Sequence, residues 1–395
     1  MNRPLSIFHW NSNEAVRRAL IVTLLWTWAN IAVAASIATF TPLGGVAPTS
    51  GFGRGIKSIA GSVSGNGVTI AGRGSAGLNA VRWDGTTGPI SLLPAGGDVF
   101  STASGVSFDG SVIVGSNEPR AAAFRWTATD GISPIEDYSK QSDIIEATGV
   151  SGDGKVVVGS TSTLQGRQAY RWTAATGAVH IDDLPGGDVF SIAEATNYDG
   201  SVVVGQSDSD LNFEPFRWTS AGGTTPLRTL AGNAVSGCAR DVTGDGKTVV
   251  GYAYSDTAHS QSFRWTESAG LIELTPPPGA WGSFASAITS DGATIIGSIQ
   301  RTADADTAAY IWTASQGMRD LKSVLVDDYG LDLTGWTLSA GSDISSDGSV
   351  LIGSGINPQG EAEGWRVTLP IPEPQPFSLI LSGVLTAITK RRRRK

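Results

Sequence analysis

The chain has 395 residues, 51 of them Gly, with 16 % charged and 40 % hydrophobic residues, a balance that excludes a disordered chain and points to a β-rich body with many turns. The formal charge of −8 is uneven: residues 1–34 carry +2 and residues 371–395 carry +5, and subtracting both from −8 leaves −15 on the body between them. Such a body repels nucleic acid and anionic membranes and leaves cations, neutral glycans and basic partners open.

In chain order, Arg17-Arg18 precede the apolar run Ala19–Ala29, and Ala32-Val33-Ala34 supplies small residues around a cut. This order predicts a secretory signal peptide over 1–34, removed by signal peptidase between Ala34 and Ala35. The competing reading is an uncleaved anchor.

A period of about 46 residues then dominates residues 35–369. Its core is Asp-Gly, an apolar triplet and Gly, as in Asp109–Gly115, Asp153–Gly159, Asp199–Gly205, Asp245–Gly251, Asp291–Gly297 and Asp347–Gly353, with Asn66–Gly72 as an earlier copy. Asp-Gly between two β-rich runs is a hairpin signal, because a tight turn needs a positive φ that Gly adopts without strain. Seven residues before each such Gly stands a small residue (Ala60, Ala103, Ala147, Ala193, Ala239, Ala285 or Gly341), as suits a crowded inner strand A. The triplet, for example Val202-Val203-Val204, predicts a strand B buried on both faces. The one cysteine, Cys238, excludes an internal disulfide; it falls in strand A, where a small buried side chain fits.

Strand C carries aromatic-Arg-Trp, as in Phe124-Arg125-Trp126, Tyr170-Arg171-Trp172, Phe216-Arg217-Trp218 and Phe263-Arg264-Trp265; in the seventh copy Arg366 aligns with these arginines. The aromatics share one face and Arg takes the other, where it pairs with a carboxylate or stacks on Trp within its blade. Strand D follows, ending in Leu-Pro-Gly-Gly-like loops such as Leu184–Gly187. The seventh unit has no strand D of its own, and Thr39–Leu43 matches the missing one. The expected architecture is therefore an all-β, seven-bladed β-propeller closed by this N-terminal strand, with an open solenoid as the alternative. Before the last copy, Met318, Leu321, Val324, Leu325 and Tyr329 lie at helical spacing ahead of Gly330. They predict a short rim helix, a packing plug rather than a functional face.

The tail, 370–395, runs Pro372-Glu373-Pro374, an apolar segment from Gln375 to Thr389, then Lys390–Lys395. The prolines force an extended linker, and the basic block favours the cytoplasmic side of a membrane. Fifteen helical residues reach only ~22 Å against a ~30 Å hydrocarbon core, enough for a transient hold. This order resembles the PEP-CTERM sorting signal of Gram-negative bacteria. The resemblance implies a C-terminal transmembrane-type sorting helix and processing by an exosortase near Pro372-Glu373-Pro374, giving an inner-membrane-tethered precursor and then a cell-surface or extracellular protein. Likewise the succession Leu-x-Gly-Gly, Ser-x-Ala, Asp-Gly-x-Val-x-x-Gly and Phe-x-Trp over 39–367 is similar to the extracellular HAF-family repeats, although their His-Ala-Phe is here Ala-Phe-Arg-Trp or similar. It implies a surface or secreted repeat protein and no particular reaction.

Function has to be sought in what breaks the repeat. Glu146, Glu194, Asp241 and Asp343 fall on the inner strands, and Asp98 and Asp188 on the loops entering them. These acids are the candidate binding residues, each with the plainer reading of a solvated tunnel or rim group. After signal removal only His180 and His259 remain, outside any zinc spacing, and no nucleophile elbow or phosphate loop occurs. No cofactor is expected. The leading expectation is a non-enzymatic binding or matrix protein whose loop face takes a glycan or another surface protein. A carbohydrate-active propeller using axial carboxylates and a purely structural component are the alternatives.

Overall fold

The computed structural model describes residues 37–45, 56–74, 79–85, 88–93, 100–117, 122–135, 144–162, 164–254, 259–303 and 306–370. The signal cleavage point Ala34–Ala35, the candidate acid Asp98 and the whole tail with Pro372, Glu373, Pro374 and its expected helix lie outside these residues. Among the described residues no helix is long and apolar enough to cross a membrane.

Seven four-stranded antiparallel sheets follow one another, each a blade whose strands A to D run from the axis outward. Blade 4 is typical: strand A is Ser191–Thr196, B is Val202–Ser207, C is Glu214–Thr219 and D is Gly223–Pro226. The valine triplets of strand B are buried on both faces, because each blade lies between two others. In the seventh blade strands A to C are Thr337–Ile344, Val350–Ile356 and Ala362–Thr368, and the outermost position is held by Thr39–Pro42. Its register sets Thr39 against Thr368 and Pro42 against Trp365. Side chains add to this pairing: Phe40 meets Trp336 edge-on at 5.0 Å, and the Trp83 indole N–H donates to the Leu43 carbonyl at 2.8 Å.

The repeated residues are consumed by joints within and between blades. In each Asp-Gly turn one carboxylate oxygen (an amide oxygen in Asn66) accepts the backbone N–H two residues on, at 2.9–3.1 Å. The same oxygen accepts the Ser, Thr or Asn side chain two residues before it, at 2.7–2.9 Å. This is turn chemistry and accounts for the acid without a cation. The Gly that follows has positive φ, +70° at Gly200, and a Cβ there would also strike Val156 of the preceding blade. Buried serines opening strand A (Ser58, Ser101, Ser191, Ser283) accept the N–H of the neighbouring strand C at 2.7–3.1 Å.

The arginines depart from expectation. Arg171, Arg217 and Arg366 reach out of their blade and donate to the turn carbonyls of Gly200, Gly246 and Gly67 in the next one, at 2.9–3.2 Å. Arg82 does pair with a carboxylate, Asp84, at 3.1 Å, and it stacks on a Trp of the following blade, Trp126, at 4.7 Å.

The rim helix is shorter than its spacing predicts. It covers Leu321–Asp327, capped by the Asp320 carboxylate on the Ser323 N–H. Met318 belongs instead to strand D of blade 6, Gly317–Asp320, because the blade's need for a fourth strand outweighs helical periodicity. Leu321, Val324 and Leu325 are buried, and Leu321 and Leu325 share a cluster with Ile296, Trp336 and Trp365, so the helix fills space between blades 6 and 7.

Candidate functional site

Every strand A carries a β-bulge at the same place, immediately after its small residue. A bulge bends and twists the strand and re-aims the side chains beside it. The opposite residue on strand B is the repeat's last Gly, and a Cβ at Gly205 would lie 1.9 Å from the Ile192 carbonyl. The bulge thus requires that Gly, and it turns two consecutive residues per blade toward the axis. They line a channel of about 270 Å³.

Five of the seven bulge residues are small: Gly61, Ser104, Thr148, Ser286 and Ser342. Blades 4 and 5 place Glu194 and Arg240 there, and these pair across the blade boundary at 3.0 Å. At the next position stand Asp241 and Asp343 in blades 5 and 7. Asp241 accepts the N–H of Val242 at 2.7 Å and that of Ile288, in blade 6, at 2.8 Å. Asp343 accepts the N–H of Ile344, and across the junction with blade 1 it accepts the Val63 N–H and the Ser62 hydroxyl, each at 2.8 Å. Both acids therefore clip neighbouring blades together. Burial, reinforced for Asp241 by the Asp343 charge, pushes its carboxyl up to about 7, and burial pushes Asp343 to about 6.

The other candidate acids are not part of this group. Glu146 stays at the loop end of strand A in blade 3, bound to Arg167 of its own blade. Asp188 is exposed on the loop entering blade 4, its N–H bonded to the Asp208 carboxylate. Cys238 is buried beside Glu194, and burial raises its thiol far above the ordinary range.

Phe108 and Tyr198 meet edge-on at 5.8 Å at the Asp-Gly end of the channel. They lie over glycines: a Cβ at Gly152 would strike the Tyr198 ring and one at Gly65 the Phe108 ring. The opposite end faces the long loops, and there strand order brings together aromatics that sequence reasoning did not single out. Phe190 meets Phe213 at 5.2 Å, Tyr252 meets Phe284 at 5.2 Å and Tyr254 at 5.9 Å, and His259 lies against Trp281 at 4.2 Å. The signal was available as another break in the repeat. Where strand B of blade 4 ends Gln206-Ser207 and that of blade 2 ends Ser116-Asn117, blade 5 has Tyr252-Ala253-Tyr254.

No protein-family model matches the sequence, and no curated protein matches it. Solved structures do. The chain is similar to oligogalacturonate lyase from Vibrio parahaemolyticus (TM-score 0.55, 11 % identity, 85 % of this chain and 98 % of that one). It is similar to the β-propeller domain of the Trilobed protease from Pyrococcus furiosus (0.52, 12 %, 83 % and 99 %), a domain of open velcro topology. It also matches TolB from Acinetobacter baumannii (0.46, 14 % identity, 66 % of this chain), spanning 62 % of that chain, less than two thirds of its length. At these identities the likeness shows the propeller fold alone.

The raised carboxyls make a pH prediction. A folded pKa above the unfolded value near 4 means the folded state holds extra protons, so this contribution is complete below about pH 4 and is lost as pH rises through about 6 and 7. Thermal melts should therefore show stability falling from pH 5 to pH 8, on the order of 2–4 kcal/mol for the two groups together. Asp241→Asn and Asp343→Asn should each flatten that slope, whatever they do to stability overall; an unchanged slope would show that these groups do not titrate in the window.

Proposed function

We propose that this chain is an exported, non-enzymatic binding propeller that engages its ligand on the face bearing the long loops. The observation that carries this reading is how the channel carboxylates are occupied. Asp241 and Asp343 accept backbone amides of two blades, and Glu194 is held by Arg240. General acid–base work needs a carboxyl whose lone pairs face substrate; these face the scaffold. Exposed aromatics, by contrast, include Phe213, Tyr254 and Trp281 at the loop end of blades 4 to 6, besides Phe108 and Tyr198 at the Asp-Gly end.

A carbohydrate-active reading has one observation in its favour: carboxyls pushed to about 7 and about 6 border a channel, as tuned acids do. Export rests on the sequence of both ends, with signal peptidase and exosortase as transient partners. We also propose that Thr39–Pro42 holds the ring shut, on the strength of its pairing with blade 7 and the burial of Leu43 against Val350, Ile352 and Trp83.

The functional reading is tested by a screen of wild type and Glu194→Gln against a glycan array and cell-envelope proteins, with turnover measured alongside. Binding without turnover supports it; cleavage of any glycan that Glu194→Gln loses would establish the enzymatic alternative, and neither binding nor turnover would leave a structural component. Mass spectrometry of extracellular protein from an exosortase-bearing host should find the chain ending near Pro372-Glu373-Pro374; an intact Arg391–Arg394 block there overturns processing. For closure, Leu43→Ala should cost about 2–5 kcal/mol in chemical denaturation, and an unchanged midpoint argues against it.

A further inference from the structure

The aromatics at the loop end occupy one arc over blades 4, 5 and 6. Phe213, in the loop opening strand C of blade 4, gives its carbonyl to the Gly237 N–H at 2.8 Å. Gly237 opens strand A of blade 5, where blades 1, 2, 4 and 6 have Ser, and a Cβ there would lie 2.2 Å from the Tyr252 carbonyl. The backbones of Phe213 and Tyr252 are thus brought together through a residue that must be Gly. Tyr252 in turn meets Phe284 of blade 6, and Trp281 stands three positions earlier, just before the same strand, its N–H fixed to the Gln300 carbonyl at 2.8 Å.

Phe213, Tyr254 and Trp281 are 44 %, 50 % and 43 % exposed. Each ring is therefore half held by packing and half open, so little side-chain freedom remains to be lost on binding. The ring contacts in Phe190–Phe213 and Tyr252–Tyr254 are edge-on, at 77° and 88°, a geometry in which the edge of one ring meets the face of the other. Polar residues flank the rings: Asn212 precedes Phe213, Ser260 lies opposite Tyr254 in the register and the Ser236 carbonyl accepts the Tyr254 N–H at 2.8 Å, with Leu211 as an exposed aliphatic near Phe213 in the chain. Inward, the arc approaches the Glu194–Arg240 pair through Cys238, which lies opposite Tyr252 in the register and whose thiol meets the Glu194 carboxylate at 3.8 Å.

Aromatic faces carry negative charge density and attract the weakly positive C–H face of a sugar ring, and the Arg240 guanidinium has more N–H donors than its contact with Glu194 uses. The occupant is unlike a polyanion, because the body carries −15 once the two ends are set aside. Nor does the patch offer the aliphatic surface that a lipid needs. We propose that the arc Phe213–Tyr252–Tyr254–Trp281, with Glu194 and Arg240 at its inner edge, is a binding site for a neutral polysaccharide chain. The proposal rests on the binding reading above and names its ligand class.

The test is affinity gel electrophoresis of the full chain through hydroxyethyl cellulose, mixed-linkage β-glucan and galactomannan, with polygalacturonate as the anionic arm. At least one neutral polymer should retard the wild type. Trp281→Ala and Tyr254→Ala should weaken that retardation tenfold or more, Trp281→Phe should keep most of it, and Phe100→Ala, an exposed aromatic outside the arc, should leave it unchanged. If Trp281→Ala does not fold, as judged by its melt, Tyr254→Ala and Trp281→Phe decide. Retardation insensitive to these variants, retardation by polygalacturonate alone, or none at all overturns the site. The broader binding reading falls only if the wild type also retains nothing in the wider glycan and cell-envelope screen.

Discussion

Each blade has two apolar faces and no way to bury either alone, so everything in this molecule depends on the joint between one blade and the next. A four-stranded sheet of some 20 ordered residues is marginal by itself. The buried triplets of strand B answer that by packing on both neighbours, and they do so only if the backbones come close. Closeness is set by Gly: a Cβ at Gly200 would strike Val156, one at Gly246 would strike Val202 and one at Gly67 would strike Val350. The turn Gly is thus constrained twice, by its positive φ and by the neighbour's side chain. Substituting it would strain the turn and wedge two blades apart at once.

The same joints decide what the repeated polar residues are free to do. A Ser opening strand A, an Arg in strand C and an Asp in the turn each carry a polar group able in principle to meet a ligand. Once the blades are assembled, Ser191 is committed to the Ala169 N–H, Arg171 to the Gly200 carbonyl and Asp199 to its own turn. A residue that recurs once per blade solves a problem that recurs once per blade. A ligand, which meets the ring from one side, does not have sevenfold periodicity. Chemistry directed at a ligand therefore belongs where the copies differ, and the differences collect in blades 4 to 6.

The blade count, the inner position of Ala193 and its equivalents, the burial of Cys238 and the register of Arg366 were all legible, because each follows from a period or a turn rule acting locally. What escaped has one physical cause. The partners of Asp241 and Asp343 lie on other blades, 47 residues away at Ile288 and about 280 at Val63, and local pattern carries no information about such distances. An acid on an inner strand reads as a tunnel residue until the N–H groups opposite it are known. Met318 failed for a related reason: its helical spacing was real, but strand C of blade 6 needed a partner there. The aromatic arc was hidden in the same way, since Phe213, Tyr252 and Trp281 are far apart in the chain and meet only through Gly237 and the strand A–strand B register.

Asp343 shows how scaffold and site chemistry merge at the axis. It belongs to blade 7, yet two of its three hydrogen bonds go to blade 1, so it stands at the junction where the last blade meets the first. Deprotonation there favours acceptance of the two N–H groups and the hydroxyl but costs the hydration of a charge inside the ring, and with a carboxyl at about 6 the balance lies near neutrality. Asp241 sits still closer to that balance because the Asp343 charge adds to its burial. Two acids whose ionisation is mutually unfavourable are an expensive way to clip blades, given that the equivalent positions in blades 2, 3, 4 and 6 manage with Gly105, Gly149, Ala195 and Ala287. At Gly105 and Gly149 the blades approach closely, since a Cβ would come to 3.1 Å from the next blade's backbone, while Thr148 donates to the Ala193 carbonyl across the joint of blades 3 to 4 and Glu194 pairs with Arg240 across that of blades 4 to 5. What sets the joints of blades 5 to 6 and 7 to 1 apart is a carboxyl that accepts the next blade's backbone N–H, and the first of these joins two of the blades that carry the aromatic arc.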